Sequence, residues 1–437
     1  MAAKKRYAVV GTGGRCLMFI DPIINRFSDS CELVALCDVS QGKMDYHNNR
    51  IEKELGYHKL PTYKTEDFAK MVKETKPDVV IVTTVDAFHH EYIIKAMELG
   101  CDAITEKPMT INDANCRAII DTAKRTGKNV RVTFNYRWGP GPSEVKRQLL
   151  TGLIGEIVHV DFEYRLNTSH GADYFRRWHR EKDKSGGLLV HKSTHHFDII
   201  NWWIDAVPEQ VFGYGRLAFY GKENAKKRGV DVKYDRYTGN DVKDDPFALT
   251  LDDGMLKDLY KDTEGDSGYV RDRNVFGDNI TIEDTMSLLV KYRTGTVLNY
   301  SLNAYLPTEG FFAAINGTKG RLEYREEHGT HILGEKKGTE FDVGSSLRVF
   351  PMFGNPYEVE IPKAEGGHGG ADPLLAEQIF SPSAPKEVLG RNAGWGQGAA
   401  SILIGIAGNT CYKTGMPVNI SDLCPQLGSA KQLHELP

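Results

Sequence analysis

"RYAVVGTGGRC", Arg6 to Cys16, is the stretch whose reading decides the fold. Four apolar residues follow a basic one and run into a glycine-rich turn. "LMFIDPIINRF" comes next, with the spacing of a helix. Strand, glycine turn and helix in that order make the opening of a dinucleotide-binding unit. Glycines let the backbone approach a pyrophosphate, and the helix N-terminus supplies N–H donors and positive dipole. The full pattern is G-x-G-x-x-G; Gly11 and Gly13 fill the first two positions, Gly14 and Arg15 follow, and Cys16 stands where the third glycine would be. Alone, such a match is weak.

The residues downstream strengthen it. "CELVALCDVS" reads as a second strand ending at Asp38, an acidic residue placed to accept from the adenosine ribose hydroxyls. Val39 and Ser40 follow, with no arginine to hold a 2′-phosphate, which favours NAD over NADP. "KPDVVIVTT", "CDAITEKP" and "NVRVTFNYR" are the third, fourth and fifth strands, separated by "FHHEYIIKAMELG" and "INDANCRAIIDTAKRTG" with helical periodicity. Strands alternating with helices predict an α/β fold with a doubly wound parallel sheet. Its ligand crevice lies at the strand C-termini, where loops from Gly11, Asp38, Thr83, Glu106 and Asn135 converge.

The rest of the chain reads differently. It has 437 residues, more than one ordinary domain holds. After "FNYRWGPGP" come repeated strands with glycine turns, among them "IVHVDFEYRL", "TMSLLVKYRTGTVLNYSLNAY" and "GFFAAINGTKGRLEYR". These predict a second α/β domain with an open, largely antiparallel sheet. The expected division is 1–136 for the dinucleotide-binding Rossmann domain and 137–437 for a substrate-binding and oligomerisation domain. Residues 221–280 are a charged insertion without clear periodicity, read as a solvated lid or interface arm. Residues 395–415 read as a helix packing back near the domain junction. The loop "GGHGGADP" offers His368 and Asp372 as further residues able to reach the site.

Composition narrows the partners. Hydrophobic residues make up 40% and charged ones 26%, with a formal net charge of −4. Nothing points to nucleic acid or an acidic membrane. No apolar run is long enough to cross a bilayer. Seven scattered cysteines without a C-x-x-C pattern suggest reduced thiols and a cytoplasmic protein; no signal peptide is expected, although a leader removed from a precursor would leave no trace here.

"SGGLLVHKSTHHFDII", Ser185 to Ile200, carries three histidines and a lysine within six residues. His191 and His195 are i and i+4, which predicts that both face one side of a helix; Lys192 and His196 form the neighbouring stripe. Histidine suits a general base near neutral pH. A helix of satisfied core histidines and a zinc site completed by His170, His179 or Asp173 are the rival readings; no H-E-x-x-H pattern is present, and no metal is expected. Upstream, Arg176, Arg177, Trp178 and His179 read as a sugar-binding edge, and Tyr136, Arg137 and Trp138 as a second one at the domain junction: aromatic faces stack on pyranose C–H surfaces and arginines donate to hydroxyls.

"VTTVDAFHHEYIIKAMELGCDAITEKP", Val82 to Pro108, resembles the strand, T-P-N-x-x-H turn, helix and E-K-P strand of the Gfo/Idh/MocA oxidoreductases, which use NAD(P) on sugars, inositols and related polyols. The resemblance implies a substrate-binding and catalytic role for Lys107 of Glu106-Lys107-Pro108. It places Thr83, Thr84, Asp86 and His89 around the nucleotide. Val85 and Asp86 replace the usual proline and asparagine. The family helix G-G-x-L-x-D-x-G-x-H-x-x-D falls on Gly186 to Asp198, with His195 on its histidine and His191 where an aspartate is usual. That substitution replaces a carboxylate of the family's usual proton relay with an imidazole. The resemblance implies His195 as acid/base with Lys107 on the reacting oxygen, Lys192 and His191 as further catalytic candidates, and His196 near the substrate. A cation near Lys107 would lower the pKa of Lys192. It also implies a homodimer or homotetramer. The function expected is NAD-dependent oxidation of a secondary hydroxyl of a sugar, glycoside or polyol. The alternatives are a glycosidase that recycles its NAD through transient C3 oxidation and elimination, and a non-catalytic NAD sensor.

Overall fold

The computed structural model describes residues 3–331, 344–363 and 369–437. His368 lies outside the described residues. Two sheets organise the chain. The first has six strands, β1 (Lys5–Val10), β2 (Cys31–Cys37), β3 (Thr62–Tyr63), β4 (Val79–Val82), β5 (Asp102–Thr105) and β6 (Val130–Val132), in the order β3-β2-β1-β4-β5-β6. All its pairings are parallel. The pleat sends alternate residues to opposite faces. Accordingly Ala8, Val10, Val80 and Val82 join one core, while Tyr7, Val9, Val79 and Ile81 join another on the far face. A sheet covered on both faces needs unbroken apolar strands, hence "YAVV" and "VVIV".

Five of these strands match the expected ones. The sixth, β3, is two residues at the edge, held by Leu36 and Cys37. The helices between strands carry their own punctuation. Ser40 caps Gln41–Leu55 by accepting from Lys43 N, and Asn112 caps Asp113–Thr126 by accepting from Asn115 N. Both end on a left-handed glycine, Gly56 and Gly127. The expected first helix is interrupted: Leu17–Asp21 gives way at Pro22 to a wider turn over Pro22–Arg26.

The second sheet has nine strands: β7 (Ile157–Asn167), β8 (Pro208–Arg216), β9 (Thr285–Tyr292), β10 (Val297–Leu306), β11 (Thr308–Gly317), β12 (Gly320–Thr330), β13 (Gly344–Pro351), β14 (Tyr357–Val359) and β15 (Val418–Asn419). Their order is β14-β13-β12-β11-β7-β10-β9-β8-β15. Among the described residues only β7 and β10 pair in parallel, so the sheet is mixed and mostly antiparallel. One face is packed and the other open, as the alternation along β9 shows: Met286, Leu288 and Val290 are buried, Ser287, Leu289 and Lys291 exposed.

Three features set the relation of the two sheets. Arg137 is wholly buried and makes a bidentate pair with Asp198, at 2.7 and 2.6 Å, while its remaining nitrogen donates to Gln397 and to the Gly390 carbonyl. The helix Trp395–Thr414, over the stretch expected to be helical, packs close on both sides. A Cβ on Gly405 would lie 2.3 Å from Leu189 O, and one on Gly398 would lie 2.8 Å from Val132 and 3.2 Å from Met109 Sδ. The 221–280 insertion is ordered around buried Tyr237, Leu251, Leu259 and Val275. Arg236 holds it by bonds to Glu264 and Asp272, and Asp272 also accepts from Thr238 N.

Candidate active site

The glycine-rich turn sits at the topological switch between β1 and β4, at the strand C-termini. Gly11 has φ +90°, and a Cβ there would stand 2.5 Å from Thr84 N, so the turn and the end of β4 can approach only without a side chain. The Thr83 hydroxyl donates to Gly11 O at 2.5 Å. Asp38 accepts from Thr12 N at 2.5 Å, from the Thr12 hydroxyl at 3.0 Å and from Ser40 N at 2.8 Å. A Cβ on Gly13 would meet the Tyr260 hydroxyl at 3.9 Å, an ordinary contact. A glycine cradle, an acidic group at the end of β2 and a crevice between them fit a dinucleotide. The third-glycine position, Cys16, is buried with Sγ 3.4 Å from His47 Nε2.

The opposite wall comes from β5 and β6. Glu106 accepts from Arg15 Nε at 2.8 Å and from the Thr133 hydroxyl at 3.1 Å. Arg15 also lies 3.6 Å from Asp372, which accepts from Asn135 at 2.9 Å. The bond from Lys107 to Pro108 is cis. His89 bridges the loops after β4 and β5, with Nδ1 2.7 Å from Pro108 O and Nε2 3.0 Å from Thr84 O.

Lys107 Nζ donates to His191 O at 3.0 Å, so the E-K-P lysine reaches the histidine-bearing segment. Burial pulls its pKa down to about 8, against the pull of Asp86, and Lys192 lowers it further. His191 Nδ1 lies 2.5 Å from Asp86 Oδ2. Burial pushes the Asp86 carboxyl up and the His191 imidazole down, each toward its neutral form.

The histidine segment is not one helix. It runs as Leu188–His191, a break at Lys192, then Ser193–Ile204. His191 and His195 therefore have different partners instead of a common helix face. His191 faces Asp86 and His179, the latter with ring centroids 4.1 Å apart. His195 stacks on Tyr136 at 4.2 Å with the rings 12° from parallel.

Four expectations need correction. The pKa of Lys192 is not lowered. Burial alone would lower it, but Tyr136, Tyr164, Tyr174 and Glu309 outweigh that and raise it. Its ammonium lies 4.9 Å over the Tyr164 ring and donates to the Tyr136 hydroxyl at 3.1 Å, contacts that favour the cation. His196 is wholly buried, stacked on Tyr164 at 4.1 Å and bonded to the Tyr300 hydroxyl, so no substrate reaches it. Arg137 is spent on Asp198 and the junction described above. Trp138 is buried against Ala371 and Leu375, with the Arg391 guanidinium 4.2 Å above it.

The edge upstream is divided. Arg177 and Trp178 are partly exposed and remain open to a ligand, Arg177 being paired with Asp173 at 2.6 Å. His179 is buried beneath Trp178, with centroids 3.6 Å apart. Burial, with Arg177 and Lys107 nearby, keeps it neutral. Arg176 is buried and donates to Phe247 O, which ties it to the insertion. Among the described residues no three His, Cys, Asp or Glu side chains are placed to share a metal ion.

Tyr136, expected with Arg137 and Trp138 to form a sugar-binding edge, stacks on His195 and accepts from Lys192. Other residues around the site carry no motif. Glu309 accepts from His170 at 2.7 Å, and burial notwithstanding, His170 and His328 hold its carboxylate ionised. Least expected is the insertion. Tyr260 accepts from Gly14 N at 2.9 Å, and Asp266 accepts from the Ser40 hydroxyl and Gly42 N. The only sequence signal was the length of that aperiodic segment, which suggested a lid but no address.

A parallel sheet with a glycine-rich switch-point turn, facing a lysine and histidine cluster on a second sheet domain, defines a nicotinamide-type oxidoreductase. Two family descriptions match: an oxidoreductase family NAD-binding Rossmann fold over residues 5–134, and its C-terminal alpha/beta domain over residues 146–420. The chain belongs to the Gfo/Idh/MocA oxidoreductase family. It is 38% identical over 410 residues, 89% of its own length and 91% of the relative's, to a Bacillus subtilis (strain 168) protein named as an oxidoreductase, YteT. The scyllo-inositol 2-dehydrogenase (NAD(+)) of the same organism is 28% identical over 186 residues, 43% of this chain and 50% of the relative. Glycosyl hydrolase family 109 protein 1 of Akkermansia muciniphila is 29% identical over 198 residues, 43% of this chain and 40% of the relative. No helix among the described residues is long and apolar enough to cross a membrane.

Proposed function

We propose that the protein is an NAD-dependent dehydrogenase acting on a secondary hydroxyl of a sugar, glycoside or polyol. The observation that carries this reading is the bond from Lys107 Nζ to His191 O, which joins the Rossmann loop after β5 to the histidine segment at one buried place. Bound nicotinamide supplies the acceptor for the hydride. The chain's own residues do the rest. The Lys107 ammonium donates to the reacting oxygen and stabilises charge developing there. His195, held flat by Tyr136, takes the hydroxyl proton as the carbon is oxidised. His191, paired with Asp86, buffers the proton balance beside Lys107. Trp178 and Arg177 offer a stacking face and donors to the sugar. The inositol dehydrogenase among the relatives supports the substrate class.

The test is a turnover assay with excess NAD and a panel of free sugars, inositols and aryl glycosides. Stoichiometric NADH without aglycone release supports the dehydrogenase. Aglycone released over many turnovers without net NADH supports the second reading, a glycosidase that recycles its NAD. What favours that reading is the likeness to glycosyl hydrolase family 109 protein 1 of Akkermansia muciniphila, 29% identical over 198 residues.

We propose in addition a homodimer or homotetramer built on the open face of the nine-stranded sheet, where Tyr214 is 69% and Leu289 51% exposed. All seven cysteines are buried and unpaired, which supports a reducing, cytoplasmic setting.

A further inference from the structure

Behind Asp38, at the end of β2, the chain assembles donors suited to a phosphate. Ser40 presents a hydroxyl, and Gly42 presents an N–H in the first turn of the helix Gln41–Leu55. Two ammonium groups flank them. Lys64 Nζ donates to Val39 O at 2.7 Å, and Lys43 lies over the rings of Tyr260 and Tyr269 at 5.8 and 5.4 Å. A 2′-phosphate on the adenosine ribose would find good partners here, so the lack of an arginine after Asp38 is not by itself a reason to refuse NADP.

These donors are already taken. Asp266 Oδ2 accepts from the Ser40 hydroxyl at 2.6 Å and from Gly42 N at 2.9 Å. Those two bonds hold its carboxylate ionised below the ordinary range. Asp266 is exposed, and the turn just before it anchors it. Thr263 packs where a Cβ on Gly42 would stand, 2.8 Å away, and Tyr260 is bonded to Gly14 N. Arg236 fixes the same segment through Glu264. Asp38 itself is turned to Thr12 and Ser40 N.

We propose that Asp266 is a specificity determinant of the dinucleotide site: its carboxylate fills the 2′-phosphate position and so excludes NADP in favour of NAD. A phosphate arriving there must displace one anion and sit beside another, and like charges in contact oppose binding strongly. The inference rests on the NAD-dependent reading above and adds to it the residue that enforces the choice.

The test is titration of the full chain with NAD⁺ and with NADP⁺ by calorimetry, for the unaltered protein, Asp266→Ala and Asp266→Asn. The unaltered protein is expected to prefer NAD⁺ by about tenfold or more, and Asp266→Ala to narrow that preference by about tenfold, mainly by tighter NADP⁺ binding. Asp266→Asn keeps the acceptor for Ser40 without the charge; it is expected to shift the preference the same way by less, and it carries the test if the alanine variant loosens the segment. An unchanged preference in both variants overturns the proposal, as does equal affinity for the two dinucleotides in the unaltered protein. Binding of neither dinucleotide overturns the functional reading itself, and this inference with it.

Discussion

Lys107 Nζ and the main-chain oxygen of His191 are 3.0 Å apart, one on the loop after β5 and the other on the histidine segment of the second domain. The half-buried lysine is an ammonium below a pH of about 8 and an amine above it, because loss of solvent disfavours the charge. Its proposed role needs the ammonium. The ratio kcat/KM should therefore fall as pH rises through about 8. Lys107→Met should cost roughly 10²- to 10³-fold in kcat/KM, and its residual activity should lack that limb. A limb that rises through the same pH would instead make Lys107 the base.

His195 lies flat on Tyr136, at 4.2 Å. His195→Ala should lower kcat by about 10²- to 10⁴-fold with KM changed only a few-fold. Retention of most turnover would remove His195 from the chemistry. Asp86→Asn keeps an acceptor for His191 Nδ1 but removes the carboxylate charge and leaves His195 untouched, so a smaller loss is expected, with an altered pH profile.

The junction ion pair gives a different signature. Arg137 and Asp198 are both buried, and removing one leaves the other charge without its partner. Arg137→Met should cost about 3–5 kcal/mol in denaturant unfolding. If Arg137 instead met the substrate, the variant would keep its stability and lose substrate affinity.

Subunit assembly can be checked by light scattering. Tyr214→Glu combined with Leu289→Glu puts charge on the open face of the second sheet. The pair should lower the assembled mass, to that of a single chain if the protein is a dimer, while the separated chain stays folded. An unaltered mass would move the interface elsewhere.

The legible parts of the fold were those held by periodic burial. β1 and β4 are apolar throughout because both their faces are covered, and β9 alternates because only one is. β3 was not legible: two residues paired to an edge leave no period. The insertion escaped for a related reason. Its order comes from Arg236, Asp272 and Asp266 bonding to side chains and N–H groups far along the chain. Such bonds depend on tertiary placement, not on spacing. In the site, Lys107 and the histidine segment stood out through their motifs. Arg137 and His196 were read as substrate contacts because polarity in a motif region looks the same exposed or buried. Only their partners, Asp198 and Tyr300, show that they serve the interior. The break at Lys192 was hidden because "LLVHKSTHHF" has nothing against a continuous helix.

The helix Trp395–Thr414 touches the region beside Lys107 through Gly398 and Met109, and the histidine segment through Gly405 and Leu189. Those glycines are seven residues apart, about 10.5 Å along a helix axis. The helix thus acts as a ruler laid between the two halves of the site. A side chain at either mark would lengthen the gauge, and Lys107 and His191 would lose register though neither had been altered. A residue that contributes no atom beyond its backbone can in this way set the spacing on which the chemistry depends.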